Sequence, residues 1–197
     1  MNRERFKKQM EFILEIDKAK NIFRQTYLSD GTRKENDAEH SWHLAIMAFT
    51  LSEYFGKDID VLKVMKMTLM HDIVEIDAGD TYCYDEKANK DKAEREQKAA
   101  NRIYGILPKE QAEEYHLIWE EFEEGLTAEA NFAIILDRIQ PIMLNYASGG
   151  KGWTEHDVYK QQVLDRNKRA LSGPMEIVDY VMEILDGATK QGYLKEK

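Results

Sequence analysis

Apolar residues recur at the spacing of an α-helix along almost the whole of this 197-residue chain, and no segment alternates as a half-buried strand would. Phe6, Met10, Ile13 and Leu14 open the pattern. A polar loop follows from about Gln25 to Asp37, with Asp30-Gly31 as its turn. Helical stretches then run near 38–55, 59–76, 92–105, 108–124, 127–147, 155–171 and 174–190. Pro108 and Pro174 sit where a helix begins, in the first turn that tolerates a missing N–H, and Gly56, Gly105, Gly125 and Gly173 sit where helices end. These signals predict an all-α helical bundle. No Pro/Gly/Ser-rich linker, internal repeat or low-complexity tract divides the chain, so residues 1–197 are expected to form one domain.

Charge narrows the partners. With 28 basic and 37 acidic side chains the chain carries a formal net charge of −9, which disfavours a grip on a nucleic-acid polymer, because counterion release needs clustered Lys and Arg. An anionic small molecule would have to be held by a metal or a few arginines against the overall field. The single cysteine, Cys83, excludes an intramolecular disulfide and a Cys-rich zinc site. The segment Met1-Asn2-Arg3-Glu4-Arg5-Phe6-Lys7-Lys8 lacks the apolar core of a signal peptide, and the longest apolar stretch, near Leu44 to Leu51, is too short to span a bilayer. The expectation is a soluble, cytoplasmic protein without a membrane partner; a homodimer or higher homo-oligomer stays open.

Polar residues on the apolar helices carry the chemistry. His71 and Asp72 are adjacent in Leu69-Met70-His71-Asp72-Ile73-Val74, so an imidazole nitrogen and a carboxylate oxygen stand at nearly the same height and can reach one cation. His40 shares a stripe with Leu44, Met47, Leu51 and Phe55 and therefore points inward. His43 lies about 60° round the same helix, a rival ligand better suited to the wall of a pocket. Asp137, in Phe132-Ala133-Ile134-Ile135-Leu136-Asp137-Arg138, is costly on such a helix unless paired or metal-bound, and Arg138 points about 100° away. Pro141 withholds its N–H from the carbonyl of Asp137, so a bend is expected there. Glu75 follows His71 by one turn and projects beside it.

The order His, His-Asp, Asp on a helical chain resembles the HD superfamily of metal-dependent phosphohydrolases. The run Glu35-Asn36-Asp37-Ala38-Glu39-His40-Ser41 is similar to the approach to the first metal histidine in the branch that contains the bacterial 5′-deoxynucleotidases. His71-Asp72-x-x-Glu75-x-x-x-Gly79-Asp80 is similar to that branch's second motif. The motifs span about residues 24 to 140, and the C-terminal third carries no functional expectation.

The resemblance implies an HD-type bundle holding one divalent transition metal (Mn, Fe, Co, Ni or Zn) through His40, His71, Asp72 and Asp137. It implies hydrolysis of a phosphomonoester such as a nucleoside 5′-monophosphate, with Glu75 as the base that activates water and Asp80 handling the substrate or protonating the leaving group. Arg24 would bind phosphate, and Arg33 and Lys34 are secondary candidates. The branch's tryptophan after this arginine is Gln25 here, which predicts a weaker preference for deoxyribose. Asp77 is expected to be solvated, His116 and His156 are assigned no chemistry, and the runs Glu94-Arg95-Glu96-Gln97-Lys98 and Glu120-Glu121-Phe122-Glu123-Glu124 are expected to be exposed faces. Two alternatives remain: a guanosine tetraphosphate or cyclic-nucleotide hydrolase of the same superfamily, and a non-catalytic helical module with a structural metal. The second has no need of Glu75 and Asp80.

Overall fold

A computed structural model describes residues 3–56, 58–81 and 90–196; Cys83 lies outside them. In chain order the helices are α1 (Arg3–Ile16), α2 (Asp37–Thr50), α3 (Val61–Met70), α4 (Glu75–Ala78), α5 (Lys92–Tyr104), α6 (Lys109–Glu124), α7 (Ala128–Ala147), α8 (Lys151–Glu155), α9 (Lys160–Arg166) and α10 (Met175–Lys190). The architecture is all-α, as the periodicity predicts, with one addition. Between α1 and α2 the chain forms β1 (Phe23–Tyr27) and β2 (Lys34–Asn36), an antiparallel pair with Phe23 opposite Asn36 and Tyr27 opposite Lys34. The expected loop is therefore a hairpin. Its tip is closed where expected: Gly31 adopts φ +69°, and Asp30 Oδ1 accepts from the Thr32 amide and hydroxyl at 2.9 and 2.8 Å.

Caps fix the helices that matter for the site. Asn36 starts α2 with a capping box, its side chain accepting from the Glu39 amide at 3.0 Å while Glu39 accepts from the Asn36 amide at 3.2 Å. Asp60 and Thr127 cap α3 and α7 more simply, each side chain accepting from the amide three residues on. Pro108 and Pro174 occupy the N-cap itself, in extended conformation, one residue before the expected position.

α7 is the central element. Its buried residues Phe132, Ala133, Ile135, Leu136 and Ile139 face α2, α3, α6 and α10, and Phe55 stacks on Phe132 with ring centroids 3.6 Å apart. Each such large side chain taken out of water contributes about 1.5–3 kcal/mol. Pro141 sits inside α7, which runs through it as one helix.

Three expected helices are interrupted. The stretch near 59–76 is α3, a 3-10 turn at His71–Val74, and α4. The stretch near 38–55 ends as α2 at Thr50, followed by a 3-10 turn at Ser52–Tyr54. The stretch near 155–171 is α8, α9 and a turn at Ala170–Ser172; Asp157, at φ +53°, breaks it, and the Lys160 amide donates to the Lys195 carbonyl at 3.0 Å. Glu96, expected on an exposed face, is only 5% exposed and pairs with Lys92. Asp77 is not a free loop residue; it closes α4 and pairs with Arg102. Among the described residues no helix is long and apolar enough to cross a membrane.

Candidate metal centre and cleft

The capping box that begins α2 sets the phase of the helix, and that phase carries His40 into the core with no exposed surface. His40 Nδ1 stands 3.1 Å from Gln140 Oε1, one turn beyond Asp137 on α7. Since Gln140 Nε2 donates to Glu35 Oε2 at 2.9 Å, its Oε1 is the acceptor, so His40 carries its proton on Nδ1. Nε2 is turned toward the centre, 3.2 Å from Asp137 Oδ1. The same logic fixes His71, whose Nδ1 donates to the Thr68 carbonyl at 3.0 Å. The neighbouring Met70 carbonyl accepts from the Tyr104 hydroxyl at 3.0 Å. These side-chain bonds accompany the change from α3 to the 3-10 turn, and the tighter turn puts His71 and Asp72 side by side at the end of an apolar helix.

His40, His71 and Asp72 bring ligand-type atoms within 4.8 Å of one another, and Asp137 closes on both histidines. His40 Nε2 lies 3.2 Å from Asp137 Oδ1 and 3.7 Å from Asp72 Oδ2; His71 Nε2 lies 3.1 Å from Asp72 Oδ2 and 3.7 Å from Asp137 Oδ1. Neighbouring ligands bonded to one cation at about 2.0–2.2 Å stand about 3 Å apart, so these spacings suit a shared ion. His71 Nε2 is buried and makes no hydrogen bond of its own, a donor atom without a ligand. Two imidazole nitrogens and two carboxylate oxygens form a mixed set suited to a divalent transition metal. A second acidic group, Asp37, Asp72 and Glu75, shares Asp72, and there Arg24 supplies positive charge, 2.6 Å from Asp72 Oδ2 and 3.4 Å from Asp37 Oδ1.

The electrostatics describe a site short of positive charge. Burial opposes charge on His71, but Asp72 and Asp137 beside it push its pKa up to about 10. Burial would raise Asp72, yet His71 and Arg24 hold it well below the usual carboxylate range. Asp137 is likewise held low by His40 and His71 beside it, against its burial. Burial and the Asp72 charge push Asp37 up to about 7, and burial, Asp72 and Asp37 push Glu75 well above its ordinary value. Burial also raises Asp80. Protons are standing in for a cation.

The centre opens into a cleft of about 280 Å³ whose wall includes Arg24, Gln25, His71, Asp72, Glu75, Asp80 and Asp137. Arg24 is on that wall but is not a free phosphate fork: besides Asp72 and Asp37 it stands 3.7 Å from Glu35 and 4.0 Å from Asp137. Arg33 is elsewhere. It is half exposed and pairs through both guanidinium nitrogens with Glu39, at 2.6 and 2.8 Å, because Glu39 is turned back to cap α2. Lys34 donates to Gln25 Oε1. His43 lies outside the converging atoms, its Nδ1 3.3 Å from Gln140 Nε2.

The sequence pattern missed several participants. Gln140 and Glu35 give no signal until α7 and β2 are brought together, although Glu35 lies in the motif run. Lys92 and Glu96 carried a usable signal, four residues apart on one helix. The C-terminal third, given no role, contributes Trp153, His156, Arg166 and Arg169 to the lining of the cleft. His116 remains with Asn101 and Glu120, away from this lining.

Comparisons with known proteins agree with this geometry. A family model described as an HD domain matches residues 16–178. A protein described as a predicted metal-dependent phosphohydrolase, from Magnetospirillum magnetotacticum MS-1, superposes with a TM-score of 0.92 at 48% sequence identity, covering 97% of this chain and 96% of that one. The 5′-deoxynucleotidase HDDC2 of Bos taurus is 28% identical over 136 residues, 68% of this chain and 64% of its own length, so less than two thirds of that relative is matched. The protein of the same name from Dictyostelium discoideum is 29% identical over 143 residues, 70% of this chain and 75% of its own.

Proposed function

The chain belongs to the HD-domain family, and we propose that it is a metal-dependent phosphohydrolase acting on nucleoside 5′-monophosphates. The observation that carries this is the convergence of His40 Nε2, His71 Nε2, Asp72 Oδ2 and Asp137 Oδ1 at one end of a cleft, with Glu75 and Asp80 on the same wall. The names of the relatives, a metal-dependent phosphohydrolase and two 5′-deoxynucleotidases, support the class of reaction.

In this reading His40, His71, Asp72 and Asp137 hold one divalent cation, which supplies Lewis-acid activation of water and of a phosphoryl oxygen. Gln140 and the Thr68 carbonyl keep both imidazoles in the tautomer that presents Nε2 to it. Glu75, one turn after His71 and buried, takes a proton from the attacking water. Asp80, at the edge of the cleft, gives a proton to the 5′-oxygen as its bond to phosphorus breaks, so that a nucleoside and inorganic phosphate leave. Arg24 screens the crowded carboxylates and faces the phosphate.

Gln25 lines the cleft where the deoxynucleotidase branch carries tryptophan, and an amide at that point can hydrogen-bond a sugar hydroxyl. Ribo- and deoxyribonucleotides are therefore both accepted. The test is phosphate release from matched ribo- and deoxyribonucleoside 5′-monophosphates with Mn, Fe, Co, Ni or Zn. Turnover with comparable kcat/KM for the two sugars supports the reading. A preference for deoxyribose by orders of magnitude removes the Gln25 argument, and no release with any metal removes the function.

A further inference from the structure

The proposed reaction brings a dianionic phosphate to a centre already crowded with carboxylates. Two ligand carboxylates, Asp72 and Asp137, match the charge of a divalent cation, which leaves the charge of the phosphate to be met by side chains. Arg24 gives only part of what is needed, because its side chain is 14% exposed and four carboxylates surround it.

A second cation lines the same cleft. Lys92 lies in the first turn of α5, and α5 packs on α4 and on the 3-10 turn, the elements that carry Glu75, His71 and Asp72. The Lys92 side chain is one third exposed and lines the cleft with Glu75 and Asp80. Its Nζ lies 2.5 Å from Glu96 Oε1, one helical turn away. Glu96 is 5% exposed, so it cannot follow the ammonium into solvent; it moors the lysine to the wall. An ammonium has three donors, and one mooring carboxylate oxygen accepts from one of them. This is an odd place for a purely structural ion pair, since burying the Glu96 carboxylate costs desolvation that an apolar residue would avoid.

We propose that Lys92, positioned by Glu96, binds the phosphoryl oxygens of the substrate. The proposal rests on the phosphohydrolase reading above, and the phosphate itself serves as the probe. In the full-length, Mn-loaded protein, inorganic phosphate binding is followed by calorimetry beside steady-state hydrolysis of a nucleoside 5′-monophosphate. Lys92→Met raises the phosphate dissociation constant and KM by roughly ten- to a hundredfold, the loss of a charge-assisted hydrogen bond, while bound metal stays unchanged. Lys92→Arg recovers most of the loss. The double variant Lys92→Met/Glu96→Gln removes the pair without stranding a buried charge and shows the same weakened phosphate binding, which separates the role from a folding defect. Wild-type phosphate affinity in Lys92→Met or in the double variant overturns the proposal, as does a wild-type protein that gives no phosphate binding. A wild type that binds phosphate through Lys92 yet hydrolyses no nucleotide upholds the binding role and overturns the proposed reaction.

Discussion

The amide of Gln140 ties the candidate metal centre to the core, and replacing it tests whether His40 is held for a metal. Gln140 Oε1 accepts from His40 Nδ1 at 3.1 Å, and its Nε2 donates to Glu35 Oε2 at 2.9 Å. Gln140 and His40 have no exposed surface, and Glu35 has 2%. Gln140→Leu keeps much of the volume and removes both bonds, so two polar groups are left where water does not reach. Each orphan costs about 1–3 kcal/mol, giving about 2–6 kcal/mol of lost stability. The effect on metal is separate: without the acceptor the imidazole is free to turn or change tautomer, and loss of such a partner weakens metal binding by about ten- to a hundredfold, or about 1.4–2.7 kcal/mol. Competition with a chromophoric chelator, well below the unfolding temperature, reads the affinity. His43→Ala is the control, because His43 meets Gln140 at Nε2 and not at the Oε1 that accepts from His40, and it changes affinity by no more than a few fold. Folded Gln140→Leu that binds metal as tightly as wild type would refute the argument.

Two further outcomes follow from the same geometry. Glu75→Gln, with Glu75 outside the four converging atoms, keeps its metal and loses about a hundredfold or more in kcat; undiminished turnover removes Glu75 from the chemistry. The metal-free protein loses stability as pH rises. The folded pKa of Asp37, about 7, lies above its ordinary 3.8, and that of His71, about 10, lies above its ordinary 6.5. Both contributions are therefore complete at low pH and are lost as pH climbs through the folded values. A metal-free Tm that is lower at about pH 9 than at about pH 6, with a larger gain on adding metal at the higher pH, is the expected result, and a Tm that rises over that interval contradicts it.

How much the sequence discloses depends on whether a feature is local. α2, α6, α7 and α10 are legible because each turns one apolar stripe to a common core. The hairpin is not legible: strands of five and three residues with an irregular register leave no clean alternation. Nor is the break at His71, since it accompanies bonds to the Thr68 carbonyl and from Tyr104, a residue on another helix. The ligand-type residues stand out as polar groups on apolar helices. Their supports do not, because Gln140 and Glu35 look like ordinary polar residues until α7 and β2 are packed around the centre. Arg24 shows the opposite failure, a residue placed correctly in the cleft whose four carboxylate neighbours come from three separate parts of the chain.

Anomalous diffraction from crystals grown with a divalent transition metal tests the central claim most directly. The account predicts one ion bonded at about 2.0–2.3 Å to Nε2 of His40, Nε2 of His71 and a carboxylate oxygen each of Asp72 and Asp137. An ion bound through His43 with His40 distant, or an ion peak only outside this cluster, would contradict it.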